Sequence, residues 1–300
     1  MATVGFIGTG TIGGPMAAQL LEHQHELLVC DKSAQALQPL LDKGARAAEI
    51  NDIAEHCATV FLSLPGPPEI ETVVLGAGGL LNSLKSGSTI IDLSTNSVSL
   101  NRKIADLAAA KNVRYLDAPV SGGKRAALKG SLAIMIGGDE TAFNDVRSLL
   151  ECIGENLFYM GPPGSGTLTK LVNNQIFLCT SVLIQEGFVM GAKAGMDPSA
   201  LLEVLKTSSA GPHMASAPLA LSRKFDLDVF SLAIAAKDVG VALESGREIN
   251  SPMPMTEAAH GVYTKALEAG FGKDDFFATV KVLETAAGIE VPPLRKPSKS

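Results

Sequence analysis

The stretch TVGFIGTGTIGGPMAAQLLEHQ, Thr3–Gln24, decides the architecture of the first half of the chain. It opens with a short β-type run and turns through Gly8, Gly10 and Gly13. It then takes on helical periodicity through Met16, Leu20 and Leu21. A G-x-G-x-x-G spacing alone is weak, but between a strand and a helix it reads as a dinucleotide-binding turn. Gly8 permits the tight turn, Gly10 lets the backbone approach a pyrophosphate, and Gly13 lets the helix pack on the strand, its N-terminus aimed at the phosphates. Thr11 and Ile12 lie between these glycines and belong to the same cofactor-binding set. Pro15 fits a first helical turn, where backbone N–H groups have no intrahelical partner. A purely structural glycine turn is the alternative reading.

The next apolar run, ELLVC, ends at Asp31, roughly 20 residues beyond the glycines, where an acidic side chain can accept hydrogen bonds from both hydroxyls of an adenosine ribose. A 2′-phosphate would meet a like charge there, so NAD is expected over NADP. Lys32 is the cation that opposes this preference.

Alternation continues through TVFLSL, STIIDLST, a helical SLNRKIADLAAAKN, VRYLDAPV, SLAIMIGG, a helix near Asp139–Leu150 and a last strand NLFYM. Strands separated by helices at this rhythm predict βαβ units, hence an α/β Rossmann-type doubly wound, mainly parallel sheet over residues 1–163. Ligands in such sheets sit beyond the carboxyl ends of the strands. That rule directs attention to Leu64 and Pro65 of LPGPP, Thr95 of STN, and Ser121, Gly122 and Gly123 of SGG. Each segment, taken singly, also reads as an ordinary loop.

After GPPGSG the β rhythm stops. The pattern predicts a long interdomain helix over 164–194, an all-α C-terminal domain over 195–290 for substrate binding and oligomerisation, and a flexible tail over 291–300. The run QIFLCTSVLIQEGFVMGAKAG is too apolar for an exposed helix, which points to burial between domains or subunits and to a homodimer or homotetramer. Within the same helix, Lys170 and Asn174 are spaced i, i+4 and share a face. A solvated surface lysine is the bland alternative for Lys170.

Composition narrows the function classes. Three hundred residues are long for one core, and 46% hydrophobic against 19% charged describes a globular chain rather than a disordered one. A net charge of −6 offers no basic footprint for nucleic acid. Cys30, Cys57, Cys152 and Cys179 are scattered without metal-ligand spacing, so neither a metal site nor a disulfide framework is expected, and all four read as reduced core residues. With no basic leader, and with every apolar stretch taken as too short to span a bilayer, no membrane partner and a cytoplasmic location are expected.

The segments GFIGTGTIGGPM, DLST, DAPVSGG, GSGTLTKLVNN and KDVGVA, in this order and at these separations, resemble the β-hydroxyacid dehydrogenases, the family of 3-hydroxyisobutyrate dehydrogenase and tartronate semialdehyde reductase. The resemblance runs from Val4 to about Leu283. It implies NAD(P)-dependent interconversion of a small 3-hydroxy acid and its semialdehyde. It implies further that Ser121, Gly122 and Gly123 bind the substrate's acid group and that Lys237, beside Asp238, lies near nicotinamide and substrate; Asn174, one turn after Lys170, is placed to hold the substrate or the lysine.

The residues fit this chemistry. Removing hydride from an alcohol leaves an oxygen that must lose a proton, and Lys170 can take it if its pKa falls from about 10.4 toward working pH. Two departures bear on the substrate. In the loop expected after SGG, Ala126 stands where the family usually has a glycine, with Lys124 and Arg125 just before it, and TSSAGPHMASAPL lacks the aromatic expected of a close 3-hydroxyisobutyrate enzyme. A polar acid, as for a tartronate semialdehyde reductase, is therefore an alternative. 6-Phosphogluconate dehydrogenases usually carry a His where Asn173 stands, and imine reductases generally replace the lysine. A non-catalytic NAD-binding module is the reading from a different class.

Overall fold

The computed structural model describes residues 2–226 and 230–295. The chain divides into two compact units, Met1–Leu171 and Val172–Ser300.

In the first unit nine strands form one sheet: β1 (Thr3–Ile7), β2 (Glu26–Cys30), β3 (Arg46–Ala47), β4 (Thr59–Leu62), β5 (Thr89–Asp92), β6 (Arg114–Asp117), β7 (Val120–Ser121), β8 (Ala133–Gly137) and β9 (Asn156–Gly161). Between them run α1 (Gly13–Glu22), α2 (Ala34–Leu41), α3 (Ile50–His56), α4 (Pro67–Leu75), α5 (Leu80–Ser83), α6 (Val98–Ala109), α7 (Gly123–Lys129) and α8 (Glu140–Glu151). The strand order is β3-β2-β1-β4-β5-β6-β8-β7, with β9 on β8. Pairing is parallel from β3 through β6 and between β8 and β9. The exception is β8, which runs antiparallel to both β6 and β7.

Both faces of the sheet are covered, and the side-chain period of two sorts residues between them. Val4, Phe6, Leu27, Val29, Phe61, Ile91 and Leu116 join one core with α1 and α8. Their strand neighbours Ile7, Leu28, Val60, Leu62, Ile90 and Tyr115 join the other. Such strands read as nearly unbroken apolar runs because neither face meets water.

The helix α9 (Ser165–Lys193) is followed by α10 (Pro198–Thr207), α11 (Ala217–Ala220), α12 (Leu232–Glu248), α13 (Pro254–Glu268) and α14 (Thr279–Ala287), with short 3₁₀ turns between. Two cores hold these helices, one around Leu178, Val239, Tyr263 and Phe276, the other around Phe188, Leu202, Leu221 and Val280.

Four expectations need correction. α9 spans 29 residues and by length and composition could cross a membrane, so not every apolar stretch is too short; 44% of its most apolar window is nonetheless buried inside the fold. Of the cysteines, all free, only Cys57 and Cys152 are buried. The segment after SGG is a helix rather than a loop: Ala126 packs directly against Gly122, and any side chain at Gly122 would strike it. Finally, residues 291–295 are held in place. The Val291 side chain is buried, its N–H donates 2.8 Å to Glu284, and the Arg295 N–H donates 2.8 Å to Ser199. Residues 296–300 of the expected tail lie outside the described residues.

Candidate active site

The glycine turn follows β1. Gly8 sits at φ +91°, and a side chain there would collide with the Ser63 carbonyl oxygen. One at Gly13 would collide with the Gly8 carbonyl oxygen, whereas one at Gly10 would meet nothing within 4 Å. Two glycines thus close the turn and the third leaves open space beside it, where Thr11 is exposed and Ile12 half-buried. No side chain caps the start of α1 and its first turn carries no acidic residue, so no internal anion offsets the positive end of its dipole.

Asp31 follows β2. One of its oxygens accepts the Thr9 N–H at 2.7 Å and the other the Ser33 N–H at 2.8 Å, which ties the carboxylate to the glycine turn. The Thr9 hydroxyl also donates to the first oxygen at 3.4 Å; a carboxylate has about four acceptor positions, so the oxygen facing Ser33 keeps capacity for a ribose hydroxyl. The Leu64 N–H donates to Ser94 Oγ at 2.8 Å, joining the segments after β4 and β5 that carry exposed Pro65 and half-buried Thr95. An open glycine face, an uncapped helix start and a fixed carboxylate fit a dinucleotide.

Behind this rim lies a polar cluster that the motif reading passed over. β5 and β6 are in register at Asp92 and Asp117, and both carboxylates are buried. Asp92 accepts the Ser94 N–H at 3.0 Å and the Asn96 amide at 3.3 Å. The Tyr115 hydroxyl lies 2.9 Å from Asp92 Oδ2 and 2.7 Å from Asn101 Oδ1. A phenol has one proton, so both contacts are hydrogen bonds only when Asp92 carries a proton of its own. Burial pushes the Asp92 carboxyl up in that direction, against the hydrogen bonds from Ser94, Tyr115 and Asn96. The Tyr115 hydroxyl is raised well above its usual value, by burial first and the charge of Asp92 second.

Asn101 then donates to Thr167 Oγ1 at 2.5 Å. Asp117 accepts the Gly164 N–H at 2.8 Å and the Thr167 N–H at 2.7 Å. Burial lifts its carboxyl to about 6, opposed by these two donors and aided by the charge of Asp92. The only sequence signal for this cluster was a pair of strands each ending in Asp, in DLST and DAPVSGG.

Ser121 ends β7 half-buried, and Gly122 and Gly123 open α7 exposed, with φ of +129° and +67°. Lys170, half-buried, lies three residues after Thr167 on α9, so the first unit brings it within one turn of the ends of β5 and β6. Asn174, one turn further along, is buried; its amide nitrogen donates to Asp238 Oδ2 at 2.7 Å and its oxygen accepts from Asn173 at 3.0 Å. Lys237 Nζ pairs with Asp238 Oδ1 at 2.8 Å. The second unit thus joins Asn174 and Lys237 through Asp238.

Both units resemble known proteins. A family model described as the NAD binding domain of 6-phosphogluconate dehydrogenase matches residues 3–161. One described as NAD-binding of NADP-dependent 3-hydroxyisobutyrate dehydrogenase matches residues 164–283. The chain is 35% identical to 2-(hydroxymethyl)glutarate dehydrogenase of Eubacterium barkeri over 96% of its own length and 97% of that protein. It is 33% identical to 3-hydroxyisobutyrate dehydrogenase of Pseudomonas aeruginosa over 90% and 93%. The crystal structure of 3-hydroxyisobutyrate dehydrogenase from Salmonella typhimurium superposes with a TM-score of 0.83 at 25% identity, over 94% of this chain and 100% of that one. With the glycine turn, the fixed Asp31 and these matches over nearly its whole length, the chain belongs to the β-hydroxyacid dehydrogenase family and is an NAD(P)-dependent oxidoreductase.

Proposed function

We propose that the enzyme interconverts a small 3-hydroxy acid and its semialdehyde with Lys170 as acid/base. The observation that carries this reading is the bonding of Thr167, one turn before Lys170, to Asp117 at the end of β6, the side of the sheet where ligands are expected. NAD supplies the hydride acceptor. In the oxidising direction a neutral Lys170 amine takes the hydroxyl proton as the carbon gives up hydride; in reduction the ammonium returns it to the carbonyl oxygen. Ser121, Gly122 and Gly123 receive the substrate carboxylate, by a hydroxyl and by N–H groups that no side chain shields. Asn174 and Lys237 are substrate contacts, and Lys237 also contacts the nicotinamide. Gly8, Gly10, Thr11, Ile12, Gly13, Asp31, Leu64, Pro65 and Thr95 hold the dinucleotide, with Asp31 favouring NAD over NADP.

Arginine is the discriminating substitution, because it keeps the charge and cannot release its proton near neutral pH. Lys170→Ala is expected to lose roughly 10²–10⁴ in kcat with NADH affinity little changed. Lys170→Arg is expected to be nearly as inactive. An active arginine variant would mean that Lys170 only attracts the substrate, and a wild-type enzyme inactive with every 3-hydroxy acid would favour a non-catalytic NAD-binding module.

A second reading concerns substrate charge. Lys124 and Arg125 occupy the first turn of α7, directly after the carboxylate segment. The relative from Eubacterium barkeri is named for a dicarboxylic acid, and the same class is proposed here beside 3-hydroxyisobutyrate and tartronate semialdehyde. Initial rates with mono- and dicarboxylic 3-hydroxy acids separate them. We place the enzyme in the cytoplasm as a homodimer or homotetramer. The oligomer is supported by exposed Val172, Ile176, Leu183 and Met190, which form an apolar stripe along α9.

A further inference from the structure

Lys170 has to present its amine to a reacting oxygen within a few tenths of an ångström, yet a lysine side chain has four rotatable carbons and its helix follows a glycine-rich turn. What fixes the start of that helix therefore matters to the chemistry. Three contacts do so in the first unit. Asp117 grips the turn with both oxygens, one on the Gly164 N–H and one on the Thr167 N–H. Asn101 holds the Thr167 hydroxyl. Gly166 lies flat against the backbone of β6 and β8: a side chain there would strike the Met135 carbonyl oxygen and come within 2.6 Å of the Asp117 carbonyl oxygen and 2.8 Å of the Gly137 nitrogen.

We propose that Asp117 is the positioning residue for Lys170: its buried carboxylate clamps the first turn of α9 and thereby sets the register of the lysine one turn further on. Asp117 reaches no reacting atom in this role. It acts through the helix, satisfying two N–H groups that would otherwise be orphaned at a helix start and placing negative charge at the positive end of the helix dipole. Asn96, Asn101 and Tyr115 extend the support behind it, so that the ends of β5 and β6 and the start of α9 form one hydrogen-bonded block. This rests on the reading of Lys170 as the acid/base.

The test is a double-mutant cycle on the full-length enzyme with NAD and its best 3-hydroxy acid. Asp117→Asn is nearly isosteric but turns an N–H toward one of the two backbone donors. Acting through Lys170, it is expected to lower kcat by about 10- to 100-fold, the scale on which a displacement near 1 Å costs rate. Substrate KM and NADH affinity, the latter read by fluorescence titration, should stay within about twofold. In the Lys170→Ala background the same change should cost nothing further, since there is no amine left to misplace. A loss that multiplies in both backgrounds, or none in either, overturns the proposal. The Lys170→Ala arm reports separately on the parent reading: if that variant keeps its activity, the acid/base assignment fails whatever Asp117 does. Should Asp117→Asn not melt cooperatively, the cycle is run with Asp117→Ser, whose single hydroxyl oxygen cannot take the place of the two that hold the Gly164 and the Thr167 N–H. A kcat loss confined to the Lys170 background supports the clamp, and a loss in both backgrounds or in neither overturns it.

Discussion

Asn174 and Asp238, 64 residues apart in sequence, share a buried hydrogen bond of 2.7 Å, and the other oxygen of the same carboxylate holds Lys237 at 2.8 Å. One side chain therefore orients two residues that sequence spacing alone could not relate. Asp238→Ala removes the acceptor and the counter-charge together, leaving a buried amide donor unpaired. We expect a loss of about 1.5–3 kcal/mol in urea unfolding. Asp238→Asn, which still offers an oxygen to Asn174, should lose less. Equal stability of both variants and wild type would mean that the pair orients without stabilising.

Gly13 and Gly10 of the nucleotide turn should separate by mechanism. Gly13→Ala drives a methyl group into the Gly8 carbonyl and is expected to destabilise by about 1–3 kcal/mol, losing NADH binding with the fold. Gly10→Ala meets no atom within 4 Å and should melt within about 0.5 kcal/mol of wild type. It should nevertheless weaken NADH by at least about tenfold, a cost near 1.4 kcal/mol, because the methyl occupies space meant for the pyrophosphate. Unaltered NADH binding in Gly10→Ala would move the phosphates away from this turn.

The Asp117 carboxyl carries a pH signature. Its value of about 6 in the fold lies above the 3.8 of an unperturbed carboxyl, and Asp92 and Tyr115 are among the titratable groups beside it. Its contribution to stability is thus complete below about pH 3.8 and is lost as pH rises through about 6, amounting to about 3 kcal/mol at 1.36 kcal/mol per unit. Asp117→Asn has nothing to ionise at this position. Its unfolding free energy relative to wild type should therefore improve between pH 4 and pH 7.5, even though its kcat at the upper pH is reduced. A difference independent of pH would mean that Asp117 ionises at an ordinary value.

The sheet and the long helix were legible because their signals are local. The glycine spacing, Asp31 and the apolar runs each declare themselves within a few residues, and Lys170 is marked by a motif around it. Three features were not. α7 hides behind GGKR, since two glycines and two cations look like a loop until Gly122 is seen to be the space that Ala126 fills. The two-residue β3 and β7 are too short for any period. The cluster of Asp92, Tyr115, Asn101 and Thr167 unites residues up to 75 positions apart, so only folding reveals which aspartates are buried and which donors face them.

The flat contact at Gly166 has a consequence for anyone diversifying this enzyme. The atoms a methyl group would strike there are backbone atoms of two neighbouring strands, which cannot turn aside as a side chain can. Every amino-acid replacement of a glycine introduces at least a β-carbon, so every substitution at this position dislodges the helix that carries Lys170. A library aimed at new substrates should freeze Gly166 and spend its diversity on Lys124 and Arg125, which follow the proposed carboxylate segment in the first turn of α7.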